Sequence, residues 1–449
     1  MGEIYTKVVS RLIFPMHEML KQHRTLRWKK YLEKSQWESA LTIQSRQNSD
    51  LTKLLQDAYK HSPFYRALFN EYKINPDGVR SINDIAQFPL LTKDIIKRNR
   101  GIIKYSHAGK LRQYQTGGSS GEPLQFYVSK TRVAHDVAAK WRATQWWGVD
   151  IGDRELVIWG SGIECGKQSY IRKIRDYIFR TDLVPAKDLD NNKINKIIKK
   201  IKTFKPKMIF GYPSILCYVA AYAKQTDQVC DDLGIKVAFV TSEVLDENQK
   251  DIIESTFGCP VANGYGGRDA GFIAHQCPKG NMHITAEDIV VEILDEQGQA
   301  VKPGESGEIV VTHLRSYGFP FIRYRTGDIG SIDMTPCACK RGLPILKNLI
   351  GRSSDLIYTH NGAVVHRAEI VRPITSCQGI ERFQFIQKSK EHALLKVQGH
   401  ELKPDETQNL QSAFRELLGP NTQLDIIYVK NIQPEMSGKF KFVISEVSQ

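Results

Sequence analysis

The 449-residue chain has few cysteines, no long apolar run and fewer acidic than basic residues. Eight cysteines are too sparse for a disulfide scaffold, which favours a reduced, cytoplasmic setting and makes clustered cysteines candidates for metal binding. No stretch approaches the roughly 18 uninterrupted apolar residues of a membrane span. A signal peptide is not expected either, because the apolar segment RLIFPM is short and interrupted by Pro15.

The charge balance is basic, with 63 Lys and Arg against 49 Asp and Glu, a net +14. Such an excess can attract nucleic acid, an anionic membrane or a phosphorylated substrate. No nucleic-acid-binding motif is visible, so we expect no nucleic-acid partner. Peripheral membrane contact stays open, because the basic segment 21–30 lies among apolar residues that could rest on a membrane surface. These apolar residues are Ile13, Phe14, Met16, Met19, Leu20, Leu26 and Trp28.

A second basic segment, KINKIIKKIKTFKPK at 193–207, alternates isoleucine with lysine at helical spacing. This pattern is typical of a helix with one buried face and one solvated face. It therefore predicts an ordinary packed helix.

The length predicts two to three domains. Residues 1–100 have amphipathic helical patterns, and the antiparallel pattern of strands with short turns falls at 283–314. Between them, short apolar runs alternate with helical patterns, which predicts a parallel sheet with ligands at the carboxyl ends of its strands. The apolar runs are ELVIWG (155–160), PKMIFGYPS (206–214) and KVAFVTSE (236–243). The segment from Gly351 has strand and helix signals of its own, which predicts domains at 1–350 and 351–449.

The stretch YQTGGSSGEPLQF, residues 114–126, is the first candidate ligand site. Its glycines let backbone N–H groups approach a ligand closely, and its hydroxyls add donors, so the loop is suited to phosphate oxygens. A surface turn is the plain alternative. A Walker-type phosphate loop is excluded, because Gly121 is followed by Glu122 and Pro123 instead of lysine and a hydroxyl residue.

Four further polar clusters lie at plausible loop positions downstream. Taken singly, each is more often an ordinary turn than a site. Together their order and spacing carry information. They are GYGGRDAG (264–271), RYRTGDIG (323–330), GRSSDLI (351–357) and MSGKFKF (436–442).

In this order the motifs resemble those of the adenylate-forming superfamily. The 114–126 loop resembles its phosphate-binding motif, YGGRD its Tyr-Gly-x-Thr-Glu motif, and YRTGD its Tyr-x-Thr-Gly-Asp motif. GRSSD resembles the hinge motif and SGK the motif of the catalytic lysine. The N-terminal AYKHSPFYR and FPLLTKDII are similar to the phenylacetate–coenzyme A ligase-like branch, nearest its CapK-like polysaccharide-biosynthesis members. The resemblance covers nearly the whole chain.

The resemblance implies an α/β fold: a large N-terminal adenylate-forming domain with mixed sheets flanked by helices, and a small α+β C-terminal lid. It also implies roles for individual residues. The loop that holds the β- and γ-phosphates of ATP would comprise Thr116, Gly117, Gly118, Ser119, Ser120 and Gly121. Tyr265 and Gly266 would bind adenine, Asp328 the ribose hydroxyls, and Arg352 would also contact the nucleotide. Lys439 would approach the α-phosphate during adenylation, and the lid would turn about Ser354 and Asp355.

Four residues depart from the family pattern, and one of them is Ser354, which stands at the hinge position where the family has an acidic residue or lysine. Asp269 stands where the superfamily has a longer acidic residue and could still hold Mg²⁺, and Arg268 replaces the threonine before it. Leu124 stands where a lysine often follows the loop's proline. Asp269 and Arg268 are counted with Lys439 as catalytic candidates. The pocket for the acid would be lined by Tyr212, Pro213, Ser214, Glu243 and Gly264.

A second constellation has the spacing of a metal site. His275-x-Cys277 and Cys337-x-Cys339 are two pairs of zinc-type ligands about sixty residues apart. Two such pairs complete a tetrahedron, and His283 is the alternative fourth ligand. Unrelated buried cysteines with a surface histidine are the other interpretation. Related ligases often carry Cys-x-Cys pairs at both places, so the resemblance implies a structural Zn²⁺.

The sequence thus predicts a cytoplasmic enzyme that uses ATP and Mg²⁺ to activate a carboxylic acid as an acyl-adenylate. The acyl group would pass to coenzyme A, a carrier thiol or an amine, in a role that includes surface-polysaccharide biosynthesis. The alternative is a non-catalytic scaffold of the same fold, attached to a membrane polysaccharide complex. Neither the acid, the acceptor nor the oligomeric state can be read from the sequence.

Overall fold

The computed structural model describes residues 2–116, 123–159, 170–186, 189–352, 357–361, 364–365, 367–433 and 440–447. The chain divides into two compact units. The larger comprises 1–326 with 330–349, and the smaller comprises 327–329 with 350–449.

The larger unit begins with helices, as the sequence predicts for its first hundred residues. Gly2–Val8, a π-helical turn at Val9–Ile13, and Phe14–Leu20 follow one another directly. The next helices are Thr25–Ser35, Ala40–His61, Pro63–Glu71 and Lys93–Ile103, with short 3₁₀ turns at Pro76–Gly78 and Ile82–Gln87. Later helices of this unit are Lys130–Gln145, Tyr170–Ile178, Asn191–Phe204, Pro213–Gln225 and Glu247–Phe257.

Most strands of this unit join one large sheet. In chain order the strands are β1 (Arg112–Gln115), β2 (Gln125–Val128), β3 (Glu155–Trp159), β4 (Thr181–Pro185), β5 (Met208–Gly211), β6 (Val237–Thr241), β7 (Val261–Gly267), β8 (Gly271–Gln276), β9 (Met282–Ile284), β10 (Ile289–Leu294), β11 (Gly307–His313), β12 (Tyr324–Asp333) and β13 (Ile345–Arg352). The sheet has the order β10-β11-β12-β13-β9-β8-β7-β6-β5-β3-β4, and β1 pairs with β2 separately.

The strand directions confirm the two predicted patterns. β4, β3, β5, β6 and β7 pair in parallel, whereas β10 pairs antiparallel with β11. The parallel strands are buried under helices on a core that includes Ile158, Ile209 and Val240. The turn between β6 and the next helix, and that between β5 and its helix, therefore lie at one edge of the sheet, as predicted for a ligand-binding edge.

The lysine-rich segment forms the helix Asn191–Phe204 with one buried face. Asp190 caps its first turn by accepting a 2.7 Å hydrogen bond from the Lys193 N–H. Four isoleucines at helical spacing are buried, and they are Ile194, Ile197, Ile198 and Ile201. The lysines between them lie on the outer face. This confirms the prediction of a packed helix.

The smaller unit has an α+β core of its own. Strands β16 (Ile380–Gln387), β17 (His392–Gly399), β18 (Gln423–Tyr428) and β19 (Val443–Ser445) form a sheet in the order β18-β17-β16-β19. The helices Arg367–Thr375 and Pro404–Leu418 pack on it, with Phe385 and Phe414 stacked at 4.9 Å between ring centroids. A short pair, β14 (Ile357–Tyr358) and β15 (Val364–Val365), precedes them.

Among the residues described, the structure contains no helix long and apolar enough to cross a bilayer.

Candidate functional site

The glycine- and hydroxyl-rich loop emerges from the β1–β2 hairpin, and Thr116 closes its base. The backbone N–H of Thr116 donates to the carbonyl of Leu124 at 3.0 Å, and the Leu124 N–H donates to Thr116 Oγ1 at 3.0 Å. The two bonds hold the ends of the loop together. The predicted phosphate-binding residues Gly117, Gly118, Ser119, Ser120 and Gly121 lie outside the described residues.

The turn between β7 and β8 carries the second motif on a tightly packed backbone. β7 bulges between Tyr265 and Gly266, and the hairpin then closes through Gly267 and Gly271. A Cβ on Gly266 would lie 2.3 Å from the Gly271 carbonyl oxygen, so another residue would force the strands apart. Glycine here therefore sets the approach of the two strands and the direction of the turn residues Arg268 and Asp269.

Arg268 connects this turn to the hairpin that carries the glycine-rich loop. Its Nη1 donates a 3.1 Å hydrogen bond to the carbonyl of Gln115, the residue before Thr116. Burial lowers the pKa of the Arg268 guanidinium, although such a group stays charged at any physiological pH. A cation is thus fixed beside the base of the loop, where its field would favour an anionic ligand.

The Asp269 carboxylate is held from two sides. Tyr324 donates a 2.6 Å hydrogen bond to Asp269 Oδ2, and the N–H of Ala270 donates to Oδ1 at 3.1 Å. Each carboxylate oxygen keeps a further lone pair. The site therefore offers an oriented carboxylate with capacity to bind a hard cation such as Mg²⁺.

The buried Arg132 also stabilises the turn that carries Arg268 and Asp269. Its Nη2 donates to the carbonyl oxygens of Arg268 at 3.1 Å and Asp269 at 2.6 Å. Burial lowers the pKa of Arg132, opposed by the carboxylates of Asp136 and Asp269. This role could not be predicted from the sequence, because Arg132 lies 136 residues before Arg268 in a helix without a recognisable motif.

The remaining nucleotide-binding candidates lie on strands β7, β12 and β13. Tyr265 in β7 lies 3.5 Å from Thr326 in β12, hydroxyl to hydroxyl, and Thr326 donates to the carbonyl of Ile309 at 2.7 Å. Asp328 also belongs to β12, and the backbone of Arg352 ends β13. Of the other predicted residues, Ser354, Asp355 and Lys439 lie outside the described residues.

The residues predicted to line the acid pocket lie at or near the carboxyl ends of β5, β6 and β7. Glu243 Oε2 accepts a 3.1 Å hydrogen bond from the backbone N–H of Ser214, at the start of the helix Pro213–Gln225. Tyr212 is buried with its ring centroid 4.3 Å from that of Trp159. A carboxylate at a helix N-terminus satisfies an otherwise unpaired donor, so Glu243 has a structural partner there.

Gly264 belongs to the interior of the sheet at this edge. A Cβ on Gly264 would lie 2.9 Å from Cε1 of Phe239. The ring of Phe239 therefore occupies the space beside the strand that a larger residue would need.

The predicted metal ligands Cys277, Cys337 and Cys339 lie together with His283. Sγ of Cys277 and Cys337 are 3.8 Å apart, and Nε2 of His283 lies 3.1 Å from Sγ of Cys339. The four donor atoms lie within 4.8 Å of one another. Three sulfurs and one imidazole nitrogen are a donor set typical of structural Zn²⁺, so the residues fit that ion.

The histidine in this group is His283, the alternative, and not His275. The two are directly paired across β8 and β9, but their rings diverge. His275 leans toward the parallel strands, with its ring centroid 5.4 Å from Phe272 and 6.0 Å from Phe239. His275 therefore packs between aromatic rings, and the prediction that named it as the fourth ligand is corrected to His283.

Hydrogen bonds orient His283 and favour the ionised form of Cys337 in this cluster. Nδ1 of His283 faces the Leu343 carbonyl at 3.1 Å, which places the ring proton on Nδ1 and leaves the lone pair of Nε2 toward the sulfurs. Burial opposes ionisation of Cys337. The backbone N–H of Cys339 and the side chain of Asn281 donate to its sulfur at 3.4 and 3.2 Å, and together they lower the pKa of this thiol.

Gln36 directly follows the helix Thr25–Ser35 and is hydrogen-bonded to the loop after Cys339. Its Oε1 accepts from Nε1 of Trp146 at 2.8 Å and from Nε of Arg341 at 3.1 Å. Its carbonyl accepts from the N–H of Gly342 at 2.9 Å. A Cβ on Gly342 would lie 1.8 Å from the carbonyl oxygen of Glu38, so glycine alone allows this approach.

Comparison with known proteins identifies related sequences for much of the chain. Residues 181–314 match the family model described as AMP-binding enzyme, and residues 357–446 match that described as CapK C-terminal domain. Protein CapK of Staphylococcus aureus is 23% identical over 405 residues, which cover 86% of each chain. Phenylacetate-coenzyme A ligase of Aromatoleum evansii is 25% identical over 313 residues, covering 68% of this chain and 69% of that protein.

The fold is also similar to solved structures. A 2-hydroxyisobutyryl-CoA ligase in the postadenylation state superposes with a TM-score of 0.74 at 18% identity, covering 92% of this chain and 91% of that one. This confirms the predicted α/β fold class. The predicted resemblance is therefore confirmed: the chain is similar to the AMP-binding enzyme family over 181–314 and to the CapK C-terminal domain over 357–446. Its sequence is similar to both CapK and phenylacetate–coenzyme A ligases of the adenylate-forming superfamily.

Proposed function

We propose that the protein is an AMP-forming carboxylate ligase. It would use ATP to convert a carboxylic acid to an acyl-adenylate with release of pyrophosphate, and then transfer the acyl group to a thiol or amine acceptor. The observation that carries the proposal is the connection between two motifs distant in sequence. Arg268 bonds to Gln115 at the base of the glycine-rich loop, and Asp269 beside it is held by Tyr324.

The chemistry explains why these groups would be needed together. A carboxylate that attacks the α-phosphorus meets a negatively charged phosphate, so cations must neutralise that charge. Mg²⁺ held by Asp269 would supply part of it, and Arg268 and Lys439 would supply the rest. The loop from Thr116 to Gly121 would hold the outer phosphates, and Tyr265, Gly266, Asp328 and Arg352 the nucleoside. The lid, residues 351–449, would turn about Ser354 and Asp355.

Coenzyme A is the acceptor best supported by the relatives. The curated relatives include phenylacetate-coenzyme A ligases, and one structural neighbour is a CoA ligase in complex with 2-HIB-AMP and CoA. The resemblance to CapK-like polysaccharide-biosynthesis proteins motivates a role in surface-polysaccharide biosynthesis, where an amine acceptor on a sugar is the alternative, and residues 357–446 match the CapK C-terminal domain. The acid itself would lie against Tyr212, Pro213, Ser214, Glu243 and Gly264.

We also propose a structural Zn²⁺ held by Cys277, His283, Cys337 and Cys339. The site joins the β8–β9 hairpin to the connection between β12 and β13. A metal there would crosslink segments about sixty residues apart, and its binding energy would contribute to folding.

The test is a screen for acid-dependent release of pyrophosphate, with and without coenzyme A. The panel should contain aromatic, short aliphatic and hydroxylated acids, because the residues of the predicted pocket do not indicate which of these acids binds. We expect at least one acid to support pyrophosphate release, and the Asp269→Asn variant to lose this activity. Asp295→Asn is a matched control, because Asp295 lies in a β-turn after β10.

The scaffold alternative predicts a different result. A non-catalytic protein would release no pyrophosphate with any acid and would bind ATP no better than the Asp269→Asn variant does. That outcome, obtained with folded and zinc-replete protein, would contradict the proposal.

A further inference from the structure

The N-terminal helices expose a continuous row of apolar side chains. Between Gly2 and Leu20 their inner face is buried, with Val9 and Phe14 packed against Ile151 and Phe179. The outer face is bare, and its side chains are between 38% and 81% exposed. We call these residues the apolar stripe: Ile4, Val8, Leu12, Met16, Met19 and Leu20.

The backbone geometry keeps the stripe on one side. Residues four apart on an α-helix drift by about 40° per step, because each residue turns about 100°. Five of the six stripe residues follow this four-residue spacing from Ile4 to Leu20. The π-helical turn Val9–Ile13, which has more residues per turn, offsets part of the drift. A row that would otherwise wind around the helix therefore stays on the outer face.

A neighbouring helix also exposes apolar side chains. Tyr177 and Ile174, on Tyr170–Ile178, are 83% and 44% exposed. This helix is joined to the first by the hydroxyl of Tyr5, which donates to the Ile178 carbonyl at 3.0 Å. A tyrosine with an apolar ring and a polar end is a side chain typical of the bilayer–water boundary.

The charges beside the stripe are positive. Lys7 and Arg11 are exposed and lie three residues after Ile4 and Val8, so they flank the stripe on the helix surface. Between residues 4 and 20 the sequence has one acidic residue, Glu18, which is buried and lies 3.4 Å from His17. Glu3 precedes this segment, and among the side chains from 4 to 20 the exposed charged groups are Lys7 and Arg11.

From this arrangement we propose that the apolar stripe docks the protein on an anionic lipid surface, with the helix lying in the plane of the interface. Acyl chains would receive the stripe, and lipid phosphates would pair with Lys7 and Arg11. A second copy of the chain fits less well, because a symmetric contact would bring Lys7 and Arg11 of both copies to the same surface. Nucleic acid would leave the stripe in water. The proposal does not depend on the proposed ligase activity.

The experiment is cosedimentation of the full chain with vesicles of phosphatidylcholine, with or without phosphatidylglycerol. The stripe variant is Leu12→Ser with Met16→Ser and Leu20→Ser, and we expect it to bind phosphatidylglycerol vesicles at least about tenfold more weakly, because it loses buried apolar groups. Lys7→Gln with Arg11→Gln should lose roughly tenfold on these vesicles and little on phosphatidylcholine alone.

The matched control removes exposed apolar side chains elsewhere. Leu41 and Met334 are 77% and 66% exposed and lie outside the segment Gly2–Leu20 that carries the stripe. The variant Leu41→Ser with Met334→Ser should therefore bind like the unaltered protein. Thermal unfolding checks that each variant is folded. The proposal fails if the unaltered protein ignores anionic vesicles, or if the stripe variant binds them equally well. It also fails if the unaltered protein does not bind vesicles but forms a dimer without lipid, and the stripe variant no longer forms that dimer.

Discussion

Tyr324 and Asp269 are joined by a 2.6 Å hydrogen bond across 55 residues of sequence. The tyrosine is buried in β12, and the aspartate lies in the turn after β7. The bond therefore aims the carboxylate from a rigid strand, while the N–H of Ala270 fixes its other oxygen. Side chains positioned in this way need little reorganisation when a cation binds.

Tyr324→Phe should weaken the proposed adenylation without abolishing it. The substitution removes one hydrogen bond to a charged group, so we expect a loss of about tenfold in acid-dependent pyrophosphate release, with a higher requirement for Mg²⁺. Tyr65→Phe is the matched control, because Tyr65 is also buried and its hydroxyl donates to the Pro320 carbonyl at 3.1 Å. Equal effects of both substitutions on activity and stability would mean that Tyr324 contributes only to packing and would contradict the prediction.

The two paired histidines give opposite predictions for the metal. His283→Asn should lower the zinc content well below the roughly one Zn²⁺ per chain expected of a four-ligand site, and should lower the melting temperature. His275→Asn should keep the metal, because its ring packs on Phe239 and Phe272. Elemental analysis of protein purified without chelator measures both, and zinc-free unaltered protein would refute the site.

His275 should also make the stability depend on pH. Burial, and then the charge of Arg142, lowers the pKa of His275 to about 3. Below about pH 6.5 the unfolded chain binds a proton there that the folded chain does not, so stability falls as the pH falls toward 3, by about 1.4 kcal/mol per pH unit. His275→Gln should remove this contribution. Urea unfolding at pH 7 and 5 compares the two proteins, and parallel losses would contradict the prediction.

Lys439 should act in one half of the proposed reaction. Its charge would be needed while the phosphate charge is redistributed, so Lys439→Ala should slow adenylation by roughly a hundredfold or more. Transfer from a supplied acyl-adenylate to the acceptor should change far less, because the lid would have turned by then. Lys441→Ala, two residues away, is the control. A variant that loses both half-reactions equally would argue against a two-position lid.

Local patterns predicted the elements of the fold well. Apolar runs of four to six residues became β3, β5 and β6, and the isoleucine spacing at 194–201 became a buried helix face. Such patterns succeed because the period of the side chains follows directly from backbone geometry. The pairing partners of the strands could not be predicted in the same way.

The incorrect metal ligand shows the limit. His275 lies two residues from Cys277, and the spacing favoured it, whereas His283 reaches the cluster through strand pairing. The N-terminal apolar residues show the same limit. The sequence prediction includes Trp28 among the residues that could rest on a membrane, yet its ring packs on His135 with centroids 3.9 Å apart. The four-residue spacing of Ile4, Val8 and Leu12 is the sequence pattern that indicates the exposed row.

The hydrogen bonds at Gln36 imply an order of events during synthesis. Gln36 leaves the ribosome 305 residues before Arg341, an interval of roughly 15 to 60 s at ordinary rates of chain elongation. Cys277 and His283 emerge before Cys337 and Cys339, so a nascent chain holds only half of the donor set for part of that time. Capture of the proposed Zn²⁺ by all four residues would therefore be a late step of biogenesis, close to the moment at which Arg341 and Gly342 become available to Gln36.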